Sequence, residues 1–314
     1  MISSLINALP GSVAQGLIWG ILAIGVYITF KVLDYADLTV DGSIATGGAV
    51  AVMCILNGTN PYIALLLAFG AGMLAGLVTG IFHTVFGIPT ILSGILTQLG
   101  LYSINMRILG KSNQAISVDE FALNVSLRYI PESCINTGIF CLVIILLLYW
   151  FFGTELGAAV RATGCNERMA KAQGINTSSQ KVLGLVLSNG LVGVSGALYA
   201  QYQGSADVNM GRGAIVIGLA AVIIGDVIFG KMFRNFALRM VASVIGAIIY
   251  FIAIAIVLQL GFSTNDLKLF SALIVAIFLA IPYLKSKNVR KILKKKMEKI
   301  RKRLNRRKGE KANA

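Results

Sequence analysis

The chain has 314 residues, 56% of them hydrophobic and only 13% charged, with a mean hydropathy of +0.79. Soluble domains carry about 25% charged residues, so this balance excludes a water-soluble globular protein and defines an integral membrane protein. The net charge of +15 is a property of the tail rather than of a nucleic-acid groove: 15 Lys/Arg against Glu298 and Glu310 fall between Lys285 and Ala314, leaving +2 for residues 1–284.

The amino terminus, MISSLINALPGSV, lacks the charged n-region and cleavage pattern of a signal peptide and is read as the start of the first span. A span needs roughly 20 apolar residues, fewer where it is broken or interrupted by glycine. That ruler predicts nine spans at 11–30, 42–56, 62–82, 88–109, 136–152, 182–201, 214–231, 240–260 and 267–284, the second the weakest. The expected fold is an all-α polytopic bundle of about eight to ten transmembrane helices over residues 1–284, followed by a basic tail over 285–314.

After the first span, DYADLTVDGSIATGGA places Asp34, Asp37 and Asp41 ahead of Gly42, Gly47 and Gly48. The pattern fits either a discontinuous helix lining a permeation path or an ordinary polar loop, because irregular backbone survives at membrane depth only where protein or water satisfies it. Gln98, Asn105, Asn189, Gln201 and Gln203 stand in or at the ends of spans, as path residues or as interhelical hydrogen-bonding groups. Gly72, Gly76 and Gly80 form one small-residue stripe and Gly190, Gly193 and Gly196 another, for packing within the chain or against a second subunit. The single His83 has no second His or Cys near it for a metal site and is expected to be satisfied locally. Cys54, Cys134, Cys141 and Cys165 show no CxxC spacing.

GDVIFGKM at 225–232 imitates GxxxxGK, but Met232 replaces the Ser/Thr needed for Mg²⁺ and the segment ends a membrane span, so no nucleotide site is expected. Asp226 within it is an intramembrane acid, either paired with Lys231 and Arg234 or on the solute path. No HExxH, GxSxG or Ser/His/Asp pattern is present.

Cytoplasmic loops carry the excess of Lys and Arg. The tail, the 231–239 segment (Lys231, Arg234, Arg239) and the 153–181 loop (Arg161, Arg168, Lys171, Lys181) then fall on the cytoplasmic side together, with 111–135 outside. The cytoplasmic stretch ELGAAVRATGCNERMAKAQGIN at 155–176 is rich in Ala and Gly, a profile that permits close docking of a partner protein.

Leu156-Gly157-x-x-x-Arg161-Ala162 followed by Met169-Ala170-x-x-x-Gly174-Ile175-Asn176 resembles the coupling segment of ABC importer permeases of the branched-chain amino acid type. Ala170-x-Ala172-x-Gly174 is similar to the Glu-Ala-Ala-x-x-x-Gly loop of such permeases, with Glu167 displaced. The early 37–43 element, the mid-chain loop, four later spans and Ile281-Pro282 closing the last one fit the same order over about residues 10–284. The resemblance implies a second permease copy or paralogous permease, two cytoplasmic ATPases and an extracytoplasmic solute-binding protein. It implies coupling to the ATPase through Gly157, Arg161, Ala162, Glu167, Ala170, Ala172, Gly174 and Asn176. The chain itself lacks Walker motifs and binds no cofactor; ATP and Mg²⁺ belong to the partner.

Asp34, Asp37, Asp41, Gln98, Asn105, Asn189 and Asp226 are the candidate path residues. An amino acid is the expected solute, since the acidic 34–41 element offers partners for an ammonium group. The alternative is a secondary transporter or channel without an ATPase, although a proton-coupled carrier is expected to hold acid or His relays in several spans. In the tail, Val289, Ile292, Leu293, Met297, Ile300 and Leu304 form a helical stripe amid positive charge. Such a helix either lies on anionic membrane lipid or is a solvated tail that fixes topology.

Overall fold

The computed structural model describes residues 2–118, 120–121, 123–230, 232–233, 235–260 and 267–285, excepting the side chains of 2–7, 267–268, 279 and 281–285. The expected tail helix lies outside the described residues. All nine predicted apolar stretches are helical. α1 (Ile2–Tyr27) runs into a π-helical turn (Ile28–Val32), followed by α2 (Val40–Leu56), α3 (Pro61–Thr84), α4 (Thr90–Leu109) and α5 (Ile130–Gly153). The predicted coupling loop holds two short helices, α6 (Glu155–Cys165) and α7 (Glu167–Ala172). α8 (Thr177–Gln203), α9 (Ala214–Phe229), α10 (Phe236–Gln259) and α11 (Leu267–Lys285) complete the bundle.

Five helices among the described residues are long and apolar enough to cross a bilayer: α1 with its π turn, α3, α5, α8 and α10. α5 and α8 begin at Ile130 and Thr177 rather than at 136 and 182, because helical hydrogen bonding continues through polar residues that hydrocarbon would reject. α11 likewise continues past Pro282 to Lys285. The loop between α4 and α5 adds a feature the sequence did not disclose. β1 (Asn113–Ala115) pairs antiparallel with β2 (Ser205–Asp207), Gln114 opposite Ala206, and Asn124 N donates to Gln201 Oε1 at 3.0 Å.

α8 is the central post, packed by α1, α2 and α3. Ile18, Leu22, Ile24, Ile44, Leu185 and Leu198 are fully buried around it. The glycine stripes serve these contacts. A Cβ at Gly72 or Gly76 of α3 would overlap the carbonyl of Asn189 or Leu185, and one at Gly47 of α2 would overlap Gly193. Both stripes therefore set helix spacing inside one chain. By contrast, α3 and α5 turn Leu66, Leu74, Leu142, Leu146 and Leu147 outward, a face suited to lipid tails. His83 is satisfied as expected, its Nδ1 lying 2.9 Å from Ile88 O and its ring edge-on to Tyr35.

Candidate translocation site and coupling segment

The helix break after α1 is built by backbone that leaves the α-helical ladder. Leu33 N donates to Ile28 O at 3.0 Å, an i to i+5 bond, and π turns of this kind recur at functional sites. Asp34 then takes φ +52, a left-handed conformation that is costly for a residue with a Cβ. Asp37 is buried: Oδ1 accepts from Thr39 N at 2.9 Å and Oδ2 accepts from Asn189 Nδ2 at 2.7 Å. Asn189 Oδ1 in turn accepts from Ser43 Oγ at 2.6 Å. Hydroxyls of Thr39, Thr79 and Thr97 form a chain at 2.7 and 2.9 Å across α3 and α4. Asn189 stands near the middle of α8, so α2 starts level with the middle of that helix, and the buried polar groups at its start are satisfied by protein, as a break inside a bundle requires. The segment is thus a break between two helices whose buried polar groups are satisfied by protein.

A second helix starts beside the first. Asp41 Oδ2 accepts from Gly213 N at 2.9 Å and Oδ1 from Ile215 N at 2.8 Å, so the carboxylate of α2 caps the positive end of α9. α2 and α9 are shorter than full spans because both begin here. Between them and α4 opens a cavity of about 300 Å³ lined by Asp41, Gln98, Tyr102, Asn105, Asn209 and Arg212, among others. Asn105 is 1% exposed, and neither Nδ2 nor Oδ1 has a hydrogen-bond partner. A buried amide without partners costs about 1–3 kcal/mol, and it faces a space holding a guanidinium, a carboxylate and a phenol.

The structure thus gathers three of the seven sequence candidates, Asp41, Gln98 and Asn105, at one cavity and ties Asp37 to Asn189 beside it. Asp34 is exposed away from that cavity. Asp226 pairs with Lys31 Nζ at 2.6 Å, whereas Lys231 and Arg234, its expected partners, lie outside the described residues. Gly225 to Phe229 are part of α9, so the GxxxxGK resemblance has no phosphate-cradling loop there. Tyr102 and Arg212 were missed by the sequence reading. The signal for Arg212 is its place in MGRG, a cation between two glycines just ahead of a short apolar helix.

The coupling candidates divide into two sets. Gly157 and Ala170 are buried, and a Cβ at Gly157 would overlap the backbone of Phe151 and Phe152. Glu167 is an internal strut, accepting from Lys181 Nζ at 2.8 Å and pairing with Lys171 at 3.0 Å. These hydrogen bonds, Lys181 first, hold its carboxyl down at about 2. Asn176 caps α8, Oδ1 accepting from Ser179 N at 3.2 Å. Arg161 turns to α10, its guanidinium 5.9 Å over the Phe236 ring, and Ala162 is half-buried. The free face of α7 and its exit consists of Arg168, Met169, Ala172, Gln173 and Gly174. Met169 is 63% exposed, an apolar side chain on a helix outside the candidate spans. α6 lies directly on the helix break, since a Cβ at Gly164 would overlap the Val32 carbonyl. α6 and the π turn are therefore in direct contact.

A bundle with helix breaks inside it, a small polar cavity beside them and a paired short-helix segment on one end has the parts that a solute permease needs. The comparisons with known proteins specify which kind. Residues 9–282 match the family model described as branched-chain amino acid transport system / permease component, and the chain belongs to that family. It is 42% identical over 266 residues to the tyrosine transport system permease protein of Clostridioides difficile (strain R20291), covering 85% of this chain and 88% of that protein. It is 30% identical over 234 residues to the galactofuranose transporter permease protein YtfT of Escherichia coli (strain K12), covering 73% and 66%. Its fold is similar to a chain of the solved structure of PsaBC from Streptococcus pneumoniae in complex with Fab. The TM-score is 0.55 at 18% identity, over 94% of this chain and 100% of that one. The chain is the polytopic permease subunit of an ABC importer.

Proposed function

We propose that this permease carries an amino acid, most readily an aromatic one, through the cavity between α2, α4 and the start of α9. The observation that carries the reading is Asn105, whose buried amide lines that cavity without a partner, alongside Arg212 and Asp41. A zwitterion matches the set. Arg212 takes a carboxylate bidentately, Asp41 keeps lone pairs beyond its two backbone bonds for an ammonium, and the Tyr102 ring offers an aromatic face. The name of the Clostridioides difficile relative, a tyrosine transport permease, supports an aromatic side chain.

In this reading the chain has no ATPase site and works with two cytoplasmic ATPases that hold ATP and Mg²⁺. A second permease copy and an extracytoplasmic solute-binding protein complete the importer in the bacterial inner membrane. The basic clusters favour placing α6, α7 and the carboxyl end in the cytoplasm, and the tail on anionic lipid. Met169 and the surface around Ala172 and Gly174 dock into the ATPase, and closure of the ATPases presses α6 against the break after α1. Substitution tests the path. Arg212→Gln and Asn105→Leu should each cut uptake of labelled tyrosine by about tenfold in the reconstituted complex, with copurification of the ATPase reporting assembly. Unchanged uptake in both variants would remove the cavity from the path.

A further inference from the structure

A groove of about 540 Å³ runs along the membrane flank between α3, α5 and α8, walled by Leu66, Phe69, Phe140, Leu147 and Trp150, and its lining is almost wholly apolar. Trp150 also lines an adjoining cavity of about 440 Å³ at the end of α5, shared with Tyr149, Thr154, Arg161 and Phe236. The two spaces meet at one indole, 71% exposed. From Phe140 to Phe151 the helix advances about 16 Å, close to half of a hydrocarbon core of about 30 Å. Trp150 and Tyr149, at the end of α5, match the aromatic belt expected at a membrane boundary.

The cation beyond that boundary is Arg161. Its guanidinium lies over the Phe236 ring at 5.9 Å, and no described carboxylate pairs with it. It is held by an aromatic face that leaves its N–H fork free for an acceptor, and the preferred acceptor of such a fork is a phosphate or carboxylate. An apolar channel one leaflet deep, ending in a ring pair and then a cation, matches one molecule from tail to head.

We propose that this flank is a specific site for an anionic phospholipid, with an acyl chain in the groove between α3, α5 and α8 and the headgroup phosphate on Arg161. Assigning the lipid to the inner leaflet rests on the cytoplasmic placement of α6; the existence of the site does not, nor does it depend on which solute is carried. The bound lipid would brace α6 against α5 and α10, the same helix whose other side meets Val32 at the break.

The chain carries two tryptophans, Trp150 and the buried Trp19, so bromine on lipid tails reads Trp150 almost alone, and Trp150→Phe supplies the background. Full-length protein in neutral-lipid nanodiscs is doped with dibrominated phosphatidylglycerol or with dibrominated phosphatidylcholine. Phosphatidylglycerol should half-quench Trp150 at a mole fraction about fivefold lower than phosphatidylcholine does. Arg161→Gln should abolish that difference while leaving quenching by phosphatidylcholine unchanged, which also shows that the variant is folded. Equal half-quench points in the wild type would overturn the site, as would a preference that survives Arg161→Gln, since the tail or another basic group would then be its source. Absence of quenching by either lipid would mean that a second protein surface covers the groove, and would overturn it as well.

Discussion

Asn189 donates through Nδ2 to Asp37 Oδ2 at 2.7 Å, tying the middle of α8 to the break between α1 and α2. The pair is wholly buried, and it holds the start of α2 at the depth where the cavity opens. Asp37→Leu leaves Thr39 N without its acceptor and removes one of the two acceptors of Asn189 Nδ2, which keeps Leu185 O, at a cost of about 1–3 kcal/mol. Thermal unfolding of the purified protein in detergent should show a lowered midpoint. An unchanged midpoint would mean the break is held by other contacts.

Helix spacing around α8 is set by glycine, and two positions separate packing from propensity. Gly47→Ala inserts a methyl where α2 meets the Gly193 carbonyl and should destabilise by about 1–3 kcal/mol. Gly70→Ala on α3 meets nothing within 4 Å and should be neutral or stabilising by up to about 1 kcal/mol, since alanine favours the helix. Equal unfolding midpoints for the two variants would refute the close approach of α2 to α8.

The strut at Glu167 has a defined pH signature. Its carboxyl, ordinarily near 4.5, is held at about 2 by hydrogen bonds from Lys181 and Lys171. The stabilisation is complete above about 4.5 and is lost as pH falls through about 2. The pair is part-exposed, 39% at Glu167, so screening keeps the effect below about 1 kcal/mol. Glu167→Gln should lower stability at pH 7, and the difference from wild type should close as pH falls below 4.5; a gap that widens on acidification would reverse the assignment.

In the proposed reading the ATPase docks on the exposed face of α7, with Met169 as its apolar anchor. Met169→Glu should abolish copurification of the ATPase while leaving the permease folded, by placing a charge in an apolar contact. Gly174 has φ +81 with nothing within 4 Å of a Cβ. Gly174→Ala and Gly174→Leu should therefore weaken the turn alike, by about 1 kcal/mol, whereas a purely steric role would make the leucine variant far worse. Pull-down of both variants at matched expression distinguishes the two.

The apolar stretches were legible in the sequence because hydrocarbon imposes a length on each of them, and the 155–176 segment stood out because it is polar between such stretches. Contacts between distant parts of the chain were not legible. Asp226 was read as pairing with Lys231 and Arg234 or as lying on the solute path; among the described residues it pairs with Lys31 on the π turn, a partner that sequence spacing does not report because it shows only neighbours on one helix. Asp41 was read as a path acid without any sign that it caps α9, because that cap is made by a backbone far along the chain. Gly157 and Ala170 were assigned to the coupling set from the family resemblance and their small size. Small residues pack inward as readily as they dock outward, and here both pack inward.

The central claim is that a separate ATPase drives an amino acid through this permease. The direct measurement is uptake of labelled tyrosine into proteoliposomes holding the chain, its cognate ATPase and its solute-binding protein. Uptake should require ATP and the ATPase and should persist when ion gradients are collapsed. Uptake by the chain alone on an ion gradient, without ATP, would contradict the account.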